Sequence, residues 1–202
     1  MIRSEPCSWL EQPYEGYVVN AIFSDFNAKI ITNALASLAE NFPGVIYPMS
    51  ARSLHVTLFD WIAPLFDYGG ANKSELFNQV RVVYDQKLSN ILNNQKQIEV
   101  TFDEIKVTPT TIIITGKDDG SFERIRKEFV NGVDLLPDTK LPPTIIHASI
   151  ARFIKEVNLE LIEDFFQEKK FYFEQLVTEF RLVHTKKEPM LDFEILKRYP
   201  LR

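Results

Sequence analysis

The order of strand and helix signals restricts this fold more than any single residue does, because the same order runs twice. Tyr17 to Phe23 is rich in β-branched and aromatic residues and reads as a strand. Ile30, Ile31, Ala34, Leu35, Leu38, Ala39 and Phe42 then recur at helical spacing until Pro43-Gly44 stops them. A loop carrying Pro48 leads to a strand over Leu54 to Trp61, a helix over Ser74 to Asn93, and a strand over Ile98 to Val107. That second helix presents Leu76, Phe77, Val80, Val83, Tyr84, Leu88, Ile91 and Leu92 as its inward stripe. The second half repeats the pattern: a strand over Thr110 to Thr115, a helix over Ser121 to Val130, a proline-bearing loop, and a strand over Ile145 to Phe153. Asn158 caps a further helix running through Lys169. Strands near Phe173 to Thr185 and Met190 to Leu196 finish the chain.

Alternating elements are also the signature of a doubly wound parallel sheet. Two features argue against it. No glycine-rich loop follows either opening strand, and the Val107 to Thr110 link is as short as a hairpin. The pattern therefore predicts an α+β protein with antiparallel sheets, as one domain over 1–202 with halves at about 14–107 and 108–198. With 202 residues, 45% of them hydrophobic, the chain can bury a large core.

Histidine occurs three times, and two of the three share a context. His55-Val56-Thr57-Leu58 and His147-Ala148-Ser149-Ile150 each read histidine, small apolar residue, hydroxyl, large aliphatic. Ser and Thr are about a tenth of the chain, so both hydroxyls at the second position after a histidine arise by chance on the order of 1% of the time. The strand period of two puts His55, Thr57 and Phe59 on one face, and His147 and Ser149 on one face of the second strand. A lone strand histidine is by default a packed one; the matched pair reverses that reading.

Two imidazoles and two hydroxyls suit displacement at phosphorus. The attacking oxygen needs a base and the leaving oxygen an acid, and histidine serves either role near neutral pH. The hydroxyls of Thr57 and Ser149 would donate to the non-bridging oxygens, where charge accumulates. No metal or cofactor is required. A Cys-based metal site is excluded by the single cysteine, Cys7, and no His-Glu-x-x-His run exists.

These paired motifs, 92 residues apart, resemble the two-histidine (2H) phosphoesterase superfamily. The second strand, His147-Ala-Ser-Ile-Ala-Arg152-Phe, and the ending Tyr199-Pro200-Leu201 are similar to the RNA 2′,3′-cyclic phosphodiesterases, whose second motif often carries an arginine there. The first motif continues into Asp60-Trp61 and the chain opens Gly16-Tyr-Val-Val-Asn-Ala-Ile, both unlike that branch. The resemblance implies a bilobal fold with two antiparallel sheets flanking a central cleft and helices outside. It also implies action on a cyclic or 2′–5′ nucleotide phosphodiester. A non-catalytic nucleotide or RNA-end binder, and a phosphodiesterase for a non-nucleotide cyclic phosphate, are the alternatives.

Other side chains take secondary places. Arg152 is a candidate phosphate ligand, although strict alternation turns it away from His147 unless the strand bulges. Phe59 and Trp61 share the parity of His55 and are candidates to stack on a base, and Phe153 shares that of His147. Arg52 and His184 read as ordinary solvated or edge residues, and Asp118-Asp119 and Lys169-Lys170 as helix ends. The formal charge of −5, with no basic run, excludes sequence-independent binding of long duplexes but leaves short oligonucleotides and small nucleotides. No signal peptide or membrane span is evident, so a cytoplasmic monomer is expected.

Overall fold

The computed structural model describes residues 2–137, 139–167, 171–187 and 189–202. In chain order the elements are β1 (Pro13–Ile22), α1 (Asp25–Asn41), β2 (Ile46–Pro48), β3 (His55–Ile62), α2 (Lys73–Leu92), β4 (Ile98–Val107) and β5 (Thr111–Lys117). They continue with α3 (Ser121–Val130), β6 (Ile146–Phe153), α4 (Leu159–Gln167), β7 (Phe173–Val177), β8 (Glu179–Lys187) and β9 (Asp192–Pro200). The helix expected to run through Lys169 is described as far as Gln167; Lys169 and Lys170 lie outside the described residues.

The short β4–β5 link does form a hairpin, closed by Thr108 Oγ1 donating to the Thr111 carbonyl at 2.8 Å. All described strand pairs are antiparallel, giving a four-stranded sheet β3-β1-β8-β9 and a five-stranded sheet β2-β6-β5-β4-β7. Read side by side, β3-β1-β8-β9 answers β6-β5-β4-β7, so the doubled element order becomes a doubled sheet. Each sheet nevertheless takes strands from both halves of the sequence: β4 lies beside β5, and β8 lies beside β1.

Helices exchange in the same way. α2 packs on β1 and β3, and α4 on β4, but α1 packs on β2 and β6 while α3 packs on β3. Each histidine strand is thus backed by a helix from the other half. Side-chain caps fix where helices begin: Ser24 accepts from the Asn27 amide at 3.2 Å and Asn72 from the Glu75 amide at 3.1 Å. Asp118 and Asp119 do mark a helix start, accepting from the Phe122 and Ser121 amides ahead of α3. Gly120 occupies the position before α3 with φ of 89°, where a side chain would be strained.

One continuous apolar core runs under both sheets. Along α2, Phe77, Val80, Tyr84, Leu88 and Leu92 are buried, whereas Val83 is 57% exposed, contrary to its place in the expected stripe. At 100° per residue Val83 falls a full step off the Val80–Tyr84–Leu88 line. Among the described residues no helix is long and apolar enough to cross a membrane.

Candidate active site

Strand alternation sets His55 with Thr57 and His147 with Ser149, and irregularities in the two strands complete the site. In β3, Asn20 pairs with Thr57 but the preceding Val19 pairs with Phe59, so Leu58 is an extra residue and the strand bulges there. A second slip, from Val18↔Asp60 to Tyr17↔Ile62, inserts Trp61. In β6, Ile113 pairs with Ser149 but Ile112 with Ala151, so Ile150 is the extra residue. Each bulge sits three residues after the histidine and reverses the alternation beyond it. The residue five after each histidine therefore returns to the histidine face: Asp60 in β3 and Arg152 in β6.

His55, Thr57, Asp60, His147, Ser149 and Arg152 all line one cleft of about 320 Å³ between the sheets. Both histidine motifs, and Arg152 with them, thus stand where the sequence put them if a bulge was allowed. Phe59 and Trp61 do not. Both are buried, at 2% and 1% exposure. Phe59 stacks on Phe129 with ring centroids 4.2 Å apart, and Trp61 meets Tyr84 edge-on at 5.6 Å. The bulges turn them into the core, which excludes base stacking, and Phe153 is fully buried as well. The aromatics that do line the cleft are Tyr14 and Phe66, with Pro64 and Met190. Tyr14 stands at the start of β1, Pro64 and Phe66 in the loop after β3, and Met190 in the turn between β8 and β9, and no periodicity marks them. Asp60 was readable: a charged residue stands at the same offset in both motifs.

His55 Nδ1 lies 2.7 Å from the Ser53 carbonyl, which accepts its proton and leaves Nε2 for chemistry. The Ile145 carbonyl, again two residues back, favours the charged ring of His147, although its Nδ1 makes no hydrogen bond of standard geometry. Both histidines are held below the usual imidazole range, chiefly by burial. The Ser53 carbonyl and Asp60 push His55 back up, while Arg181 and His147 push it down. Arg126, Lys140 and Arg152 push His147 down further. Lys140 reaches over the cleft to Asp60 at 3.2 Å, and the Trp9 ring covers the Arg152 guanidinium at 4.9 Å. Replacing Asp60 by Asn is expected to lower the His55 titration midpoint, measured from its imidazole NMR shifts; an unchanged midpoint would remove Asp60 from the electrostatics of the cleft.

Behind the cleft, Arg126 of α3 ties the two strands together. Its Nη2 donates to the Thr57 carbonyl at 2.7 Å, Nε to the Leu58 carbonyl at 2.8 Å, and Nη1 to the Ile145 carbonyl at 3.3 Å. β3 is an edge strand, and this fork satisfies carbonyls that have no neighbouring strand. The residue is 6% exposed, and burial brings its pKa down to about 10. Sequence reading missed it, since one arginine on an amphipathic helix looks like a solvated one. His184 is on the opposite face of sheet one, 3.0 Å from Glu15 and stacked on Tyr17, away from the cleft.

No family profile and no curated sequence matches the chain. Solved structures do. A crystal structure described as a phosphoesterase superposes with a TM-score of 0.60 at 16% identity, covering 93% of this chain and 98% of that one. E. coli LigT complexed with 3′-AMP gives 0.58 at 16% identity, covering 93% and 98%. The MHV ns2 PDE domain gives 0.52 at 15% identity, covering 85% and 98%. The chain therefore shares the α+β fold of these phosphoesterase, LigT and PDE-domain structures.

Proposed function

We propose that this protein is a metal-independent phosphodiesterase that hydrolyses a cyclic or 2′–5′ nucleotide phosphodiester with His55 and His147 as acid and base. The observation that carries the reading is that two His–hydroxyl sets line one cleft, to which the matched bulges add Asp60 and Arg152. A 2′,3′-cyclic phosphate would sit with its non-bridging oxygens toward Thr57, Ser149 and Arg152. One histidine takes a proton from water as its oxygen bonds to phosphorus. The other protonates the ribose oxygen as the P–O bond breaks, leaving a phosphomonoester. Hydroxyl and guanidinium donors stabilise the charge that grows on the phosphoryl oxygens.

Names of the structural relatives agree in kind. LigT has been crystallised with phosphate and with 3′-AMP, and the ns2 relative is called a PDE domain. Tyr14 and Phe66 take the place of Phe59 and Trp61 as the aromatic surfaces available to a base. The test is a product-resolved panel of 2′,3′-cyclic nucleotides, 2′–5′ oligonucleotides and cyclic phosphosugars, run with and without EDTA. Turnover of a nucleotide substrate that persists in EDTA is expected. Binding without turnover throughout the panel would make the chain a nucleotide-binding module, and loss of activity in EDTA would sink the metal-free mechanism.

A further inference from the structure

A second groove, of about 810 Å³, opens on the same concave face of the first sheet, past the His55 end of the cleft. Its walls carry Arg52 from the loop before β3, Arg181 from β8, and Phe193 from β9. Both guanidiniums lie over the one Phe193 ring, at 4.9 Å for Arg52 and 5.9 Å for Arg181. Two like charges are thus brought to one aromatic surface. Lys29 adds a third cation, and Asp25 is the acidic residue lining the groove.

Arg181 is the unusual member. It is only 5% exposed, yet forms no ion pair among the described residues. Its Nη2 donates to Asn20 Oδ1 at 3.3 Å, while Nε is buried with no hydrogen-bond partner. Burying a guanidinium in this state costs free energy that an anion in the groove would return. Neighbouring Glu179 is taken by Arg198.

Register connects the groove to the cleft. Thr57 pairs with Asn20, and Asn20 pairs with Arg181, so the three form one row across the sheet. Two strand spacings make that row roughly 10 Å wide. The Arg181 guanidinium lies between Asn20 and the Phe193 ring, so it suits a phosphate next to the one at Thr57 on the same strand. Arg181 also lowers the His55 pKa, so its charge is felt at the catalytic end of the row.

We propose that the Arg52–Arg181–Phe193 groove is an anion subsite for the phosphate adjacent to the scissile one, which makes the substrate a short oligonucleotide and not a mononucleotide. The inference rests on the phosphodiesterase reading for the identity of the first phosphate. The groove itself is tested by binding, which needs no turnover. Two product-like ligands, 3′-AMP and the dinucleotide ApAp, are titrated calorimetrically into the wild type and Arg52→Ala, with Arg181→Gln as a second variant checked by thermal melting.

Wild type is expected to bind ApAp at least tenfold more tightly than 3′-AMP, with a steeper loss of affinity as salt rises. Arg52 is exposed, so Arg52→Ala keeps the fold, leaves 3′-AMP binding unchanged, and brings the ratio close to one. Equal affinities for the two ligands in wild type, or an ApAp preference that survives Arg52→Ala, would overturn the subsite. Failure of the phosphodiesterase reading shows up separately, as absence of turnover for every cyclic substrate while the binding ratio stands.

Discussion

Replacing either His55 or His147 by Ala is expected to lower kcat/KM for a 2′,3′-cyclic nucleotide by about 10²–10⁴-fold, the range removed with a general acid or base. The His55 ring is held by its strand and by the carbonyl two residues back, and the His147 ring by its strand, so the fold does not depend on the imidazole's charge. Burial already disfavours that charge. Circular dichroism and melting temperature should therefore stay near wild type while turnover collapses. Wild-type rates in either variant would show that the cleft does its chemistry with other groups.

The second large effect falls on a residue outside the cleft. Arg126→Met removes three hydrogen bonds from a charged donor, each worth about 1.5–3 kcal/mol before the relief of a buried charge is counted. A net loss of about 3 kcal/mol is expected, a drop of roughly 6–12 °C in melting temperature for a chain of this size. Because the fork holds the Leu58 bulge, β3 loses the restraint that aims Thr57 and Asp60, and a shift of about 1 Å is enough for a 10²-fold fall in rate. Arg126→Lys keeps charge but cannot span three carbonyls, so it should rescue stability only in part. Thermal melting and kcat/KM at a permissive temperature check both halves. An unchanged melting temperature would mean that the fork is incidental.

Most of the architecture was legible because hydrophobic periodicity and turn residues carry it: α3 and β4 begin and end at the expected residues, and the hairpin-short link gave antiparallel sheets. The exchange of β4 and β8 between sheets was not, since pairing partners far apart in sequence leave no local pattern. In the site, the histidines and hydroxyls were readable as a repeated strand pattern. What strict alternation cannot anticipate is a bulge. One inserted residue at Leu58 and one at Ile150 moved Phe59 and Trp61 into the core and brought Asp60 and Arg152 out. The same offset in both strands makes the error informative: a charged residue where alternation predicts an apolar one marks where the ladder slips. Arg126 and Arg181 escaped notice because burial of a long charged side chain is a tertiary property.

The central claim is that one cleft is worked by two histidines in opposite protonation states. Its most direct test is the pH dependence of kcat/KM for a 2′,3′-cyclic nucleotide, in the wild type and in each histidine variant. The rate follows the product of one neutral and one protonated imidazole, so the wild type should give a bell centred between the two free-enzyme values. Burial holds both below the ordinary histidine value, which places the maximum on the acid side of about pH 6.5. With His55→Ala one limb should vanish, and with His147→Ala the other, leaving two one-sided profiles. Profiles that keep both limbs in both variants would contradict the account.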